Sequence, residues 1–140
     1  MKRLSCLLAI GYFTFLTTQV LAAPNLDVRI GVQEWTKQST ISASVNTPIQ
    51  ALTSQGWEVV GEIKASQGWS VQATSGKVHL LDPTHQCMCH NKLYQRIRIE
   101  PAKDANNLVL IQRKWYRGKI DIFPASQSAL TLVNELPLEY

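Results

Sequence analysis

The side chains best suited to chemistry crowd into one short stretch, where His79, His85, Cys87, Cys89 and His90 fall within twelve positions. Imidazoles with thiolates are the ligand set that zinc prefers, so Cys87, Cys89, His90 and His85 are the candidate ligands if an ion binds. The C-x-C-H order lacks the paired C-x-x-C knuckles of structural zinc sites. The preferred reading is therefore a structural loop with two oxidisable cysteines and neither metal nor cofactor. Residues i and i+2 of an extended strand point the same way, with Cα atoms about 6.5–7 Å apart, at or beyond the usual reach of a disulfide. A local bridge and a pair of free thiols both stay open.

Two further sets of side chains suit binding. Trp35, Trp57, Trp69, Trp115 and Tyr116 have rings that can stack on sugars, although tryptophan in a small β domain more often packs in the core or against turns, which is favoured here for each. Arg96, Arg98, Arg113, Lys114, Arg117 and Lys119 place positive charge on neighbouring strands. They can meet carboxylates or phosphates, or simply form a solvated face, the simpler reading. The sequence has no Gly-rich phosphate loop, nucleophile elbow or helix-borne metal pair, and no catalytic residue is assigned.

The elements that must carry these residues read as strands, because alternation with period two recurs and sustained helical periodicity is almost absent. Strands are predicted over Asp27 to Gln33, Thr40 to Val45, Trp57 to Ile63, Trp69 to Thr74 and Lys77 to Leu81. Gln55-Gly56, Ser66-Gln67-Gly68 and Ser75-Gly76 supply turn compositions between them. The clearest alternation sets Leu93, Gln95, Ile97 and Ile99 against Tyr94, Arg96, Arg98 and Glu100. Leu108 to Trp115, Lys119 to Phe123 and Ala129 to Val133 follow as strands. The class is mainly β: a small antiparallel domain.

The N-terminus reads as an export signal. Lys2 and Arg3 precede an uncharged, largely apolar stretch from Leu4 to Leu21, and Val20-Leu21-Ala22 offers small residues for cleavage after Ala22. Residues 1–22 are the expected signal peptide and residues 23–140 the mature domain, located in the periplasm or cell wall. Cleavage removes two of the 14 basic residues and none of the 10 acidic ones, leaving a charge of +2. A balance that small gives no reason to expect nucleic acid as a partner, and no later apolar run is long enough to span a membrane.

At the C-terminal end, Tyr116-Arg117-Gly118-Lys119-Ile120-Asp121-Ile122 is followed after a short turn by Leu130-Thr131-Leu132-Val133-Asn134-Glu135-Leu136-Pro137-Leu138-Glu139-Tyr140. A YRG-type turn, a strand pair and a V-N-E-L-P-L-E segment resemble the SpoIID/LytB family, over most of the mature chain in layout and over its last twenty-five residues in motif. The resemblance implies a protein acting on peptidoglycan, either a lytic transglycosylase or an enhancer of cell-wall amidases. Proline suits the first position of a helix and an acid two places later favours its positive end, so a helix is expected to begin at Pro137, as the V-N-E-L-P-L-E segment leads into one in that family. The family's general acid lies in a later P-S-E-M type segment with no counterpart in this sequence. Glu135 and Glu139 read as structural residues at the helix start rather than as substitutes for that acid.

The expectation is thus an exported, truncated N-terminal portion of a SpoIID-like protein, a β domain incomplete at its C-terminus and without activity of its own, whose parent would be a lytic transglycosylase. The alternative is a non-catalytic module that binds the wall or stimulates an amidase. Leu130, Leu132, Leu136 and Leu138 are expected to expose an apolar patch for want of helix partners.

Overall fold

The computed structural model describes residues 27–104 and 106–137. The expected signal peptide lies outside the described residues, as do Glu139 and the rest of Leu138–Tyr140. Among the described residues there are twelve strands: β1 (Asp27–Thr36), β2 (Gln38–Ala43), β3 (Thr47–Thr53), β4 (Gly56–Ile63), β5 (Trp69–Thr74), β6 (Lys77–Leu81), β7 (Lys92–Tyr94), β8 (Ile97–Ile99), β9 (Val109–Ile111), β10 (Lys114–Tyr116), β11 (Lys119–Pro124) and β12 (Leu130–Pro137). They pair antiparallel in two six-stranded sheets, ordered β1-β12-β11-β8-β3-β4 and β10-β9-β2-β5-β6-β7. The mainly β, antiparallel class read from the alternation is the class observed.

One core lies between the sheets. Ile49, Ile97, Ile99, Ile120, Ile122, Leu130 and Leu132 come from the first sheet, and Ile41, Val71, Val78, Leu80, Val109 and Ile111 from the second. Strand pleating makes this possible, because alternate residues face opposite sides and branched aliphatic chains fill the inner side. Each such side chain withdrawn from water stabilises the fold by roughly 1.5–3 kcal/mol before entropy is counted.

Several boundaries differ from the sequence reading. The Leu93–Glu100 alternation is two strands in different sheets, since β7 pairs with β6 while β8 lies between β11 and β3. The chain crosses at Gln95-Arg96, so Ile97 and Ile99 are buried while Leu93 stays exposed. Leu108–Trp115 is a hairpin, with Lys114 opposite Ile111 and a positive φ at Gln112. No glycine marks that turn. Strand β3, absent from the sequence reading, carries Pro48 opposite Glu62 near its start, where a missing amide hydrogen is tolerated better than in mid-strand.

The helix expected from Pro137 does not start there. Val133, Asn134, Glu135, Leu136 and Pro137 pair in order with Gly31, Ile30, Arg29, Val28 and Asp27, so this segment is the end of β12. Its backbone has a ladder partner on β1, and Asn134 donates from Nδ2 to the carbonyls of Arg117 (2.6 Å) and Lys119 (3.3 Å), which ties it to the β11 side too. Nor do Leu130 and Leu132 form an exposed patch, because both are fully buried in the core.

Irregularities sit at the margins of the first sheet. Strand β1 carries an extra residue between Gly31 and Gln33 and another between Gln33 and Thr36, relative to β12. Strand β4 carries one opposite the step from Ile49 to Gln50. Such bulges bend and twist an outer strand.

Candidate functional site: a cationic sheet face

The pleat that sends Ile120 and Ile122 inward sends Asp121 to the outer face of the first sheet, yet its side chain is only 1% exposed. Register explains the burial. Asp121 lies opposite Arg98 on β8, and Arg96 sits two residues before Arg98, so both guanidinium groups fold over the carboxylate. Arg98 donates from Nε at 2.8 Å and from Nη2 at 3.3 Å, and Arg96 donates from Nη2 at 2.7 Å. Arg29 on β1 adds a third guanidinium at 3.7 Å and reaches Glu135 at 3.3 Å. Lys119 holds Glu135 at 2.7 Å.

Aromatic rings back the same guanidinium groups. Arg98 lies over the Trp57 ring at 4.1 Å and Arg96 over Phe123 at 5.0 Å. Arginine combines planar stacking with bidentate hydrogen bonding, which lysine cannot do. In this set four cations face two carboxylates, so positive charge is left over, and the Nε of Arg96 is buried without a partner.

Burial alone would raise the pKa of Asp121, but the hydrogen bonds and charges of Arg98 and Arg96 outweigh it and hold the carboxyl below its ordinary value. Glu135 is lowered chiefly by its hydrogen bond to Lys119. Arg98 is raised, first by its bond to Asp121. These carboxylates are held ionised, the opposite of what a general acid requires.

The cluster at residues 79–90 forms a second, separate constellation. Cys87 and Cys89 are joined as a disulfide with Cα atoms 5.0 Å apart, which closes the choice the spacing left open. The bend through Cys87-Met88-Cys89 makes this possible by bringing the two Cα atoms closer than an extended strand would. His85 and His90 stack ring on ring with centroids 4.2 Å apart, and His90 Nδ1 accepts the amide hydrogen of Asp82 at 2.9 Å. His79 pairs instead with Asn91 at 2.7 Å. With both thiols used in the bridge, no thiolate is offered to an ion, and among the described residues no group of three metal-ligating side chains gathers.

Asp82 organises that loop. It is 3% exposed and accepts from the backbone amides of Thr84, Gln86 and Cys87 and from the Thr84 hydroxyl. Burial pushes its pKa up, and these bonds together bring it below the ordinary value.

The tryptophans divide. Trp69 is core at 2% exposure and Trp57 lies beneath Arg98, whereas Trp35 and Trp115 are exposed at 69% and 49%, so packing does not account for those two. Arg113, Lys114 and Arg117 are exposed and stand apart from the Asp121 cluster, which takes Arg96, Arg98 and Lys119 from the sequence-derived set. Sequence reasoning missed Asp121, Arg29 and Asp82 as organising residues. A signal existed for each acid: Asp121 between two isoleucines, and Asp82-Pro83-Thr84 as an Asx-turn composition.

The comparisons settle no family. Compared with protein-family models, curated proteins and solved structures, the chain matches none of them.

Proposed function

We propose that this chain is a non-catalytic, exported module that binds anionic cell-wall glycan, peptidoglycan above all, through the outer face of the first sheet. The observation that carries the reading is the Arg29, Arg96 and Arg98 cluster, backed by Trp57 and Phe123, in which cations outnumber carboxylates. Guanidinium groups already held flat by aromatic rings lose little freedom on meeting a carboxylate or phosphate, and Arg29, half exposed, is free to turn toward one. Asp121 and Glu135 stay ionised and paired, which favours binding over acid catalysis.

The reading is tested by sedimenting the protein with insoluble peptidoglycan at graded salt. Co-sedimentation should fall steeply as salt screens the contacts, and Arg29→Ala, which removes a half-exposed side chain, should weaken it several-fold. Binding indifferent both to salt and to Arg29→Ala would overturn the reading, as would release of anhydro-muropeptides by the protein.

The second reading is the SpoIID/LytB one, with a lytic transglycosylase acid supplied from elsewhere or with an amidase as the partner stimulated. One contact supports it. The two halves of the resembling motif are neighbours, because Gly118 of the Y-R-G turn has φ +82° and packs so tightly on the Glu135 carbonyl that a Cβ would overlap it. Against it stands β12, which keeps Val133–Pro137 extended where that family turns toward a helix.

A further inference from the structure

We propose that Cys87 and Cys89 form a redox-active pair that exchanges with thiols through Cys87, an activity independent of the wall-binding reading. The argument begins with what the bridge does not do. A disulfide stabilises mainly by closing a loop in the unfolded chain, and a bridge between residues two apart closes almost none. The loop does not depend on it for shape either. Asp82 holds Thr84, Gln86 and Cys87 by their amides, His90 donates its amide hydrogen to the Cys87 carbonyl at 3.0 Å, and Asn91 donates to Leu80 at 2.8 Å. Opening the bond therefore leaves the frame that positions both sulfurs in place.

The two sulfurs are unequal. Cys89 is buried at 1% exposure, whereas Cys87 lines an open groove of about 430 Å³ with Gly61, Glu62, Lys64 and Trp69. The amide hydrogen of Cys89 points at Cys87 Sγ, 3.0 Å from the nitrogen, a bond that strengthens when that sulfur carries the charge of a thiolate. Gly61 leaves the space the pair occupies, since a Cβ there would lie 2.8 Å from both sulfurs.

The exchange balances without any further reactant. A thiolate from a dithiol substrate entering the groove attacks Cys87 Sγ, the bond to Cys89 breaks, and Cys89 leaves as a thiolate that takes up a proton. The second thiolate of the substrate then attacks its own sulfur in the mixed disulfide. Cys87 leaves as the thiolate received by the Cys89 amide. Two electrons pass from substrate to protein, one disulfide forms and one is lost.

Glutathione is the probe. The folded wild-type chain is incubated with millimolar reduced glutathione, free thiols are alkylated and assigned to Cys6, Cys87 or Cys89 by peptide mass spectrometry, and near-ultraviolet circular dichroism follows the fold. The thiols of Cys87 and Cys89 should both appear within minutes while the spectrum is retained. With oxidised glutathione, the Cys89→Ser variant should accumulate a mixed disulfide on Cys87 at least tenfold faster than Cys87→Ser does on Cys89. A bridge that opens only after the protein unfolds would overturn the proposal, and so would preferential glutathionylation of Cys89. The wild-type measurement stands even if a serine variant fails to fold.

Discussion

Two buried aspartates organise this molecule, and they are satisfied in opposite ways. Asp121 is held by guanidinium groups 23 and 25 positions away in the chain, brought to it by strand pairing. Asp82 is held by backbone amides two to five positions ahead of it, within its own loop. One carboxylate therefore ties strands together and the other shapes a turn. Similar burial reports a tertiary commitment in the first case and a local one in the second.

The contrast is sharpest if each acid is removed. Asp121→Ala leaves Arg96 and Arg98 without their carboxylate, while Arg29 keeps Glu135, and should cost roughly 2–3 kcal/mol, less than the 3–5 kcal/mol of a fully buried pair because the guanidinium groups can turn to water. Urea denaturation would measure it. A loss below about 0.5 kcal/mol would mean that the cluster contributes no more than a surface ion pair. Asp82→Ala should cost about 1–2 kcal/mol, in the range of a lost helix cap, with its effect confined to the loop. Amide exchange should quicken at Thr84, Gln86 and Cys87 and stay unchanged in the core strands; a global change would erase the distinction between the two acids.

Acid should act on both, with the same sign. Asp121, Asp82 and Glu135 all have lowered folded-state pKa values, so their stabilisation is complete above the unfolded carboxylate range near about 4 and is lost as pH falls through the folded values. The urea midpoint should hold from pH 6 to about 5 and drop as pH falls below about 4, and the gap between wild type and Asp121→Asn should narrow over that lower range. A constant gap would show that the Asp121 charge is not what the arginines stabilise. The smallest effect is expected for Trp57→Ala, where loss of the Arg98 stacking should take about 0.5–1 kcal/mol beyond the packing change. Comparison with Trp57→Leu isolates that part.

The same contrast explains what could be read from the sequence. Local signals carried the strands: β5 and β6 lie where the alternation put them, and Ile97, Ile99, Ile120 and Ile122 face inward as their spacing required. The arginines at 96 and 98 were visible as a cationic face, but the acid beneath them was not, because only cross-strand register sets Asp121 under Arg98. The hairpin at Gln112-Arg113 was hidden because its turn uses no glycine or asparagine. The V-N-E-L-P segment suggested a helix because proline favours a first helical turn. Pairing with β1, set by residues a hundred positions earlier, overrode that local preference.

The bulged margins of the first sheet constrain how a partner can be recognised. Strand β1 is interrupted twice and β4 once, while the outer strands of the second sheet, β10 and β7, are only three residues long. Among the described residues, none of the four edges thus offers a long flat row of amides and carbonyls on which an incoming peptide could add itself as a further strand. On the wall-binding reading proposed above, recognition falls to side chains on the face of the first sheet, so changes in β7 or β10 should alter binding less than changes at Arg29, Arg96 or Arg98.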